Sequence, residues 1–312
     1  MDNLTHSLVG WALAETGLKN RTRKGMAALV LAANMPDIDV FFGWVPWAPL
    51  AMHRGFTHGL VGGVVLMPPL LAALLWVLDR WQASCHPIAP DALPLRFGWL
   101  VLLSYVGAIT HPMLDLQNVY AIQLLSPMSS EWFHTDSLFI VSPWLLAMLG
   151  AGIWLARRRQ TGAPAVLALA GCFVFIAANI GISSLARDAL VRSEPHPQPD
   201  RVFASPASAK FWERDLVWRE AGQITFASFD PTVSLGRTLE RGRPFPDNMD
   251  LPIVQRAARL GPEVRKFLAW SQMPVAEVET KGCNSVVTFG DARFTGPAMA
   301  RNFNTVVRLK TC

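Results

Sequence analysis

The first 189 residues contain several apolar stretches of about 20 residues, the length that a helix needs to cross a bilayer. Four stretches are almost free of charge, at residues 59–78, 97–116, 138–156 and 163–185. Two others carry a few polar side chains, at residues 25–45 and 4–18. The second of these is short, and we interpret it as a short or partly embedded helix. The pattern predicts an all-α polytopic membrane domain of five to six helices.

Charged residues are distributed unevenly along the chain. Hydrophobic residues make up 51% of the sequence and charged residues 16%, and only 11 of the 28 Lys and Arg residues fall within residues 1–189. We therefore predict two domains, a membrane-embedded one at 1–189 and a water-soluble one at 190–312. The net charge of +5 is diffuse, with no basic stripe interleaved with aromatic residues, so no nucleic-acid partner is expected.

The C-terminal part has the pattern of a small α+β domain. Residues 187–200 are polar and proline-rich, which predicts a linker. The strands predicted beyond it are at 216–218, 224–229, 275–278, 285–289 and 304–309, with helices at 253–260 and 262–271. No recognisable catalytic string occurs there, so we interpret the domain as a cap or a substrate-gathering module. Cys283 and Cys312 either form a disulfide or are two unrelated thiols.

Basic loops predict the orientation in the membrane. Basic clusters occur at residues 19–24 and 157–159, and Arg80 and Arg96 flank a third loop. If the first cluster is cytoplasmic, alternation of the helices makes the other two cytoplasmic as well. The loops at 46–58 and 117–137 and everything after residue 187 then face outward. The N-terminus lacks the positively charged region of a cleavable signal peptide.

Five of the seven histidines lie in short polar segments within this apolar sequence. The segments are Thr5-His6-Ser7, Asn34-Met35-Pro36-Asp37-Ile38-Asp39, His53-Arg54-Gly55-Phe56-Thr57-His58, His111-Pro112-Met113-Leu114-Asp115 and, more weakly, Glu131-Trp132-Phe133-His134-Thr135-Asp136. The predicted topology puts all of them on the outer side of the membrane. Ionisable groups are costly in such segments, so their coincidence on one side predicts a single functional site.

The residue types in these segments are those that bind Zn²⁺ or a similar divalent cation through nitrogen and oxygen. His111 and Asp115 are four apart and share one helix face. Asp37 and Asp39 are two apart, so both can turn inward only if the helix is broken at Pro36. One or two metal ions are expected, and Asp39 is also a candidate general base. Arg54 is the candidate for holding an anionic substrate. The predicted metal ligands are His6, Asp37, Asp39, His53, His58, His111, Asp115, His134 and Asp136.

Each segment also has a structural interpretation. His6 alone could be a packed histidine, and His111 with Asp115 could be a structural hydrogen bond. Asp37 and Asp39 could cap a helix or relay protons. Asp136 could cap a helix that starts near Leu138, which makes its segment the weakest of the five.

The strings Thr-His-Ser, Met-Pro-Asp-Ile-Asp, His-Arg-Gly-Phe-Thr-His-Gly and His-Pro-Met-Leu-Asp resemble the YdjM-type family, over about residues 1–190. Residues 267–271 and 291–294 also look like a C-terminal extension that some members carry. The resemblance implies a LexA-regulated, metal-dependent hydrolase of the bacterial inner membrane. A more distant similarity is to zinc-dependent phospholipase C and P1-type nucleases, whose zinc cluster includes a His-x-x-x-Asp helix. Those enzymes use an N-terminal Trp as a ligand, whereas Met1 stands here.

Together these features predict a multi-pass inner-membrane hydrolase with a periplasmic C-terminal domain. Its substrate would be a phosphoester or other anionic ester at the outer face of the membrane, either a lipid or a small molecule, and membrane lipids are its expected partners. A transporter or ion relay and a structural zinc protein are the alternatives. Transporters usually contain inverted repeats with paired broken helices, and only one broken helix, near Pro36, is predicted here.

Overall fold

The computed structural model describes residues 1–42, 54–193, 197–207, 209–233, 239–294 and 303–310. The chain forms two compact units, one comprising Met1–Phe42 with His53–Ile180 and another that includes Gly181–Cys312. The division falls within a long helix, whereas the predicted boundary after residue 189 lay near the end of that helix.

The first unit is helical. Its α-helices are α1 (Asn3–Glu15), α2 (Gly25–Asn34), α3 (Met67–Cys85), α4 (Phe97–Asp115), α5 (Pro143–Arg159) and the first part of α6 (Ala163–Arg192). Two 3₁₀ helices, Leu18–Arg21 and Met35–Phe42, and a π-helical segment, Leu60–Leu66, complete it.

Within the described residues, three helical stretches are long and apolar enough to cross a membrane: Leu60–Cys85, Phe97–Asp115 and Ala163–Arg192. The predicted helical N-terminal region is therefore confirmed, while a total of five to six membrane helices stays a prediction. Helices α1, α2 and α5 have 13, 10 and 17 residues. All three are shorter than the span of about 20 residues that a bilayer requires.

Helix α2 ends at the polar segment that contains the two aspartates. Asn34 is its last residue, and its side chain donates to the Val30 carbonyl and lies within hydrogen-bond distance of Ser7 on α1. The backbone then tightens into the 3₁₀ helix Met35–Phe42. This is the break that Pro36 predicts, and it places Asp37 in the 3₁₀ helix and not in α2.

Glycines let α2 pack closely against α1 and α4. A Cβ atom on Gly107 of α4 would lie 2.5 Å from the Leu29 carbonyl oxygen, and one on Gly10 of α1 would lie 2.8 Å from the Val30 Cα. Buried side chains such as Leu29, Leu100 and Leu103 fill the space around these contacts. The packing holds the C-terminal ends of α2 and α4 beside each other.

We expect Gly107→Ala to destabilise the protein by about 1–3 kcal/mol, because the added methyl group would displace the α2 backbone. Gly98→Ala is the matched control in the same helix, since a Cβ there meets no atom within 4 Å. Thermal unfolding of the two variants in detergent measures the difference. Equal melting temperatures would contradict the close packing of α2 on α4.

The second unit contains two antiparallel sheets. The first has the order β1 (Arg201–Ser205), β2 (Arg214–Glu220), β3 (Gln223–Phe229) and β4 (Glu240–Arg241), with β5 (Phe245–Pro246) also paired to β3. The other has the order β6 (Pro274–Lys281), β7 (Asn284–Asp291) and β8 (Asn304–Lys310). Two short helices lie between them in sequence, α7 (Pro252–Ala258) and α8 (Pro262–Trp270).

The strand-rich C-terminal domain agrees with the predicted fold class, with two corrections. Residues 187–192 were predicted to be linker but continue α6, because Ala189 and Leu190 pack with Leu216 and Trp218 of the first sheet. Strand β1 was not predicted. Cys283 is disulfide-bonded, and Cys312 lies outside the described residues.

Candidate metal centre

Four buried side chains from three separate segments converge in the first unit. They are Asp37 in the 3₁₀ helix, His58 just before the π-helical segment, and His111 and Asp115 in the last turns of α4. Each offers one ligand atom, and these four atoms all lie within 4.8 Å of one another. A single divalent cation can therefore be bound by two imidazole nitrogens and two carboxylate oxygens.

The backbone fixes the orientation of His111. Its Nδ1 lies 2.7 Å from the Ala33 carbonyl oxygen and donates to it, which leaves Nε2 as the free acceptor. That Nε2 is 3.6 Å from Asp37 Oδ1 and 3.6 Å from Asp115 Oδ2. A carbonyl that fixes the tautomer in this way is the usual support of a metal-binding histidine.

His58 is oriented by a carboxylate on its far side. Its Nε2 lies 3.1 Å from Asp37 Oδ1 and 3.6 Å from Asp115 Oδ2. Its Nδ1 faces Asp39 Oδ2 at 3.5 Å, and that same oxygen accepts a 2.6 Å hydrogen bond from the Thr57 hydroxyl. Asp39 thus lies behind the ring of His58, and the structure places it outside the group of four.

A close backbone approach holds the segment that carries His58. A Cβ atom on Gly63 would lie 2.3 Å from the Thr57 carbonyl oxygen. Any other residue at 63 would push this segment away, so the π-helical start of the helix and the position of His58 depend on each other.

His6 contributes from the first helix. Its ring is fully buried and stacks on His111, with centroids 3.9 Å apart and an interplanar angle of 17°. Its Nε2 is 3.4 Å from Asp115 Oδ1, the oxygen that also contacts the amino nitrogen of Met1. His6 therefore lies at the edge of the cluster, within reach of the second oxygen of Asp115.

Arg54 is buried beside the cluster and is not directed to solvent. Its Nη2 is 3.6 Å from Asp115 Oδ2, its Nη1 donates to Asn118 Oδ1 at 2.8 Å, and its guanidinium lies over the Tyr120 ring. Its φ angle of 68° is in the left-handed region. Sequence reasoning singled out Arg54 but missed Asn118 and Tyr120, which follow Asp115 closely in the chain and carry no motif of their own.

Several buried polar atoms in the cluster have no hydrogen-bond partner among the residues that the structure describes. They are both ring nitrogens of His6, Asp37 Oδ2, His111 Nε2, Asp115 Oδ2 and Asn118 Nδ2. Buried polar groups are nearly always paired, and the exceptions often mark an ion or water. The unpartnered acceptor atoms on Asp37, His111 and Asp115 point to a cation, and the donor set fits one.

Negative charge dominates around His58. Burial by itself lowers the pKa of this imidazole, but hydrogen bonds to Asp37 and Asp39 outweigh the loss of hydration and raise the pKa above 6.5. The surrounding carboxylates therefore favour positive charge at this position, which is the electrostatic condition for holding a divalent cation.

The remaining predicted ligands lie elsewhere or outside the described residues. His134 Nδ1 and Asp136 Oδ1 are 2.7 Å apart and pair with each other. Asp136 does not cap a helix, because α5 begins at Pro143 and Ser142 provides its cap. His53 lies outside the described residues. The structure thus brings together His6, Asp37, His58, His111 and Asp115, with Asp39 and Arg54 next to them.

The fold and the site define a helical membrane protein with a buried cluster of His and Asp side chains. The model of the YdjM inner membrane protein family matches residues 1–182, and the chain belongs to that family. The chain is also 25% identical to the uncharacterized protein YfhP of Bacillus subtilis, over 94% of this chain and 87% of that protein. No solved structure matches it. The family places the protein in the inner membrane.

Proposed function

We propose that this protein is a membrane-bound, metal-dependent hydrolase that acts on a phosphoester or another anionic ester. The observation that carries the proposal is the convergence of four buried side chains, Asp37, His58, His111 and Asp115. Acceptor atoms of Asp37, His111 and Asp115 have no hydrogen-bond partner in the part of the chain that the structure describes. A divalent cation held there, most simply Zn²⁺, would supply Lewis-acid polarisation of the ester and activation of a water molecule. We propose one ion at these four ligands, and a second ion would have to be held by His6 and the other oxygen of Asp115, which lie 3.4 Å apart at the edge of the cluster.

The remaining residues have roles that follow from their contacts. Asp39 orients His58 from behind. The guanidinium of Arg54 is shared between Asp115 and Asn118, so it holds the Asp115 carboxylate in place. In the proposed reaction it also faces the charge of the substrate, because a guanidinium can bridge two anionic groups.

The proposed location of the site is the outer face of the membrane, with several membrane passes and a periplasmic C-terminal domain. The disulfide at Cys283 supports this placement, since disulfides persist in oxidising compartments. A periplasm-dependent reporter fused to the C-terminus tests it, and activity of a cytoplasm-dependent reporter at that position would contradict it. The substrate is then either a membrane lipid or a small anionic ester that reaches the membrane surface.

The function is tested by hydrolysis of bis(p-nitrophenyl) phosphate and of a phospholipid by the purified protein. We expect turnover of at least one of them, loss of turnover with a chelator, and recovery when Zn²⁺ or Mn²⁺ is restored. Turnover that is insensitive to the chelator would contradict the proposal. So would a protein that binds metal stoichiometrically and hydrolyses neither ester, which would favour a structural metal site.

We expect Asp39→Asn to weaken metal binding by roughly 10–100-fold, the usual effect of removing the group that orients a metal-binding histidine. The amide keeps the size of the side chain but removes the negative charge that faces His58 Nδ1. Competition with a fluorescent zinc chelator measures the change. Asp91→Asn, in an exposed loop, is the control. If both variants bind metal as tightly as the wild type, Asp39 has no role in metal binding.

A further inference from the structure

A groove of ≈ 580 Å³ runs between α1 and α5 and shares no residue with the metal centre. Its walls are apolar and aromatic, with Leu8 and Trp11 on α1 and Ile153 and Trp154 on α5. Trp154 is 57% exposed although it is one of the largest apolar side chains. The groove has the apolar lining of a cleft for an aliphatic chain.

Two arginines close one end of this groove. Arg157 lies over the Trp11 ring at 5.6 Å and Arg158 over the Trp154 ring at 5.3 Å, so each wall ends in a cation stacked on an indole. Both are exposed, and neither forms an ion pair with any of the residues that the structure describes. The nearby carboxylate of Glu15 is already engaged by Lys19 and by Trp11 Nε1.

The opposite flank of α5 repeats the pattern. A second groove, of ≈ 370 Å³, lies between α5 and α6 with Leu155 and Leu167 in its walls and Arg159 at its end. The positive charge of residues 157–159 at the end of α5 complements the helix dipole, which explains basic residues there. It does not explain why apolar grooves lead up to them on both sides.

We propose that the groove between α1 and α5 binds an anionic phospholipid. The acyl chain lies along Trp11 and Trp154, and the phosphate is held by Arg157 and Arg158. Basic pockets at the ends of membrane helices are suited to anionic head groups, and a guanidinium pair without a free carboxylate disfavours the ammonium of a zwitterionic one. This site is independent of the metal centre and of the proposed function.

Native mass spectrometry of the full-length protein in a neutral detergent tests the proposal, with dioleoyl phosphatidylglycerol and dioleoyl phosphatidylcholine titrated separately. We expect the wild type to prefer phosphatidylglycerol by roughly tenfold. The double variant Arg157→Gln, Arg158→Gln should lose that preference. Arg80→Gln is the matched control, because Arg80 also stacks on a tryptophan, Trp76, but does not line the groove.

A second variant tests the groove itself. Gly150 lines it, and a Cβ there meets no atom within 4 Å, so Gly150→Phe should fill the groove without disturbing the helix. We expect it to weaken binding of both lipids, while Gly98→Phe, at another open position, leaves binding unchanged. Equal binding of the two lipids by the wild type, retained preference in the double arginine variant, or unchanged lipid binding by Gly150→Phe would each overturn the proposal.

Discussion

Replacement of His111 by Ala is expected to weaken binding of divalent metal by more than roughly 100-fold. Loss of a supporting group typically costs 10–100-fold, and His111 would be a direct ligand whose Nε2 makes no hydrogen bond to any residue that the structure describes. His111 also stacks on His6 and approaches Asp37 and Asp115, so the variant removes the centre of the cluster. Competition with a fluorescent zinc chelator gives the change in affinity, and the hydrolysis assay gives the accompanying loss of turnover.

The control for this variant is His86→Ala. His86 is exposed and follows α3, so its loss should change neither metal affinity nor turnover. Because a ligand that binds only the folded state stabilises it, saturating zinc should also raise the melting temperature of the wild type and of His86→Ala, but not of His111→Ala. Metal affinity of His111→Ala within a few-fold of the wild type would show that the cluster is not the metal site.

Replacement of Asp291 by Ala should destabilise the C-terminal domain by about 3–5 kcal/mol. This is the usual cost of removing one partner of a buried ion pair and leaving the other charge buried without it. Asp291 accepts two 2.8 Å hydrogen bonds from Arg293 and a 2.6 Å bond from Ser271. Both partners of the ion pair are fully buried. Arg293 lies within about 5 Å of the rings of Phe203, Trp270 and Phe294, which pack around it.

The effect of Asp291 also depends on pH. Burial by itself raises the pKa of this carboxyl group, but Arg293 outweighs burial and lowers the pKa below 3.8. Ionised Asp291 therefore contributes stability above pH about 4, the pKa of an unfolded aspartate, and this contribution is lost as the pH falls through the lowered pKa. The difference in stability between wild type and Asp291→Asn should shrink in acid.

Thermal unfolding and limited proteolysis of the full chain at pH 7 and in acid measure both effects. Lys210→Gln is the control, because Lys210 and Glu213 form a solvent-exposed pair whose loss should change stability little. Similar destabilisation by Asp291→Ala and Lys210→Gln would contradict the structural role of the buried pair.

Local spacing made much of the candidate metal centre predictable. The four-residue separation of His111 and Asp115 places them on one helix face, and Pro36 marks the break that lets Asp37 turn inward. The partners of Arg54 were not predictable, because Asp115 and Asn118 lie far away in the sequence and only the packing brings them together. His134 and Asp136 had the right residue types, but they pair with each other.

In the fold, too, composition alone did not reveal contacts that depend on packing. Residues 187–192 are polar enough to resemble a linker, yet Ala189 and Leu190 face the first sheet and keep them helical. Helix α1 is close to the short helix predicted at 4–18, whereas α2, predicted within the stretch 25–45, ends at Asn34. At the end of α2 the side chain of Asn34 donates a hydrogen bond to the Val30 carbonyl, a contact that apolar composition does not reveal.

The most direct test of the metal centre is the metal content of the wild-type protein, purified in detergent without added metal or chelator. Elemental analysis should find one or two divalent ions per chain, zinc foremost, and prolonged dialysis against a chelator should remove them. A purified, folded chain that holds no stoichiometric metal and takes up none when zinc is supplied would contradict the assignment of Asp37, His58, His111 and Asp115 as a metal site.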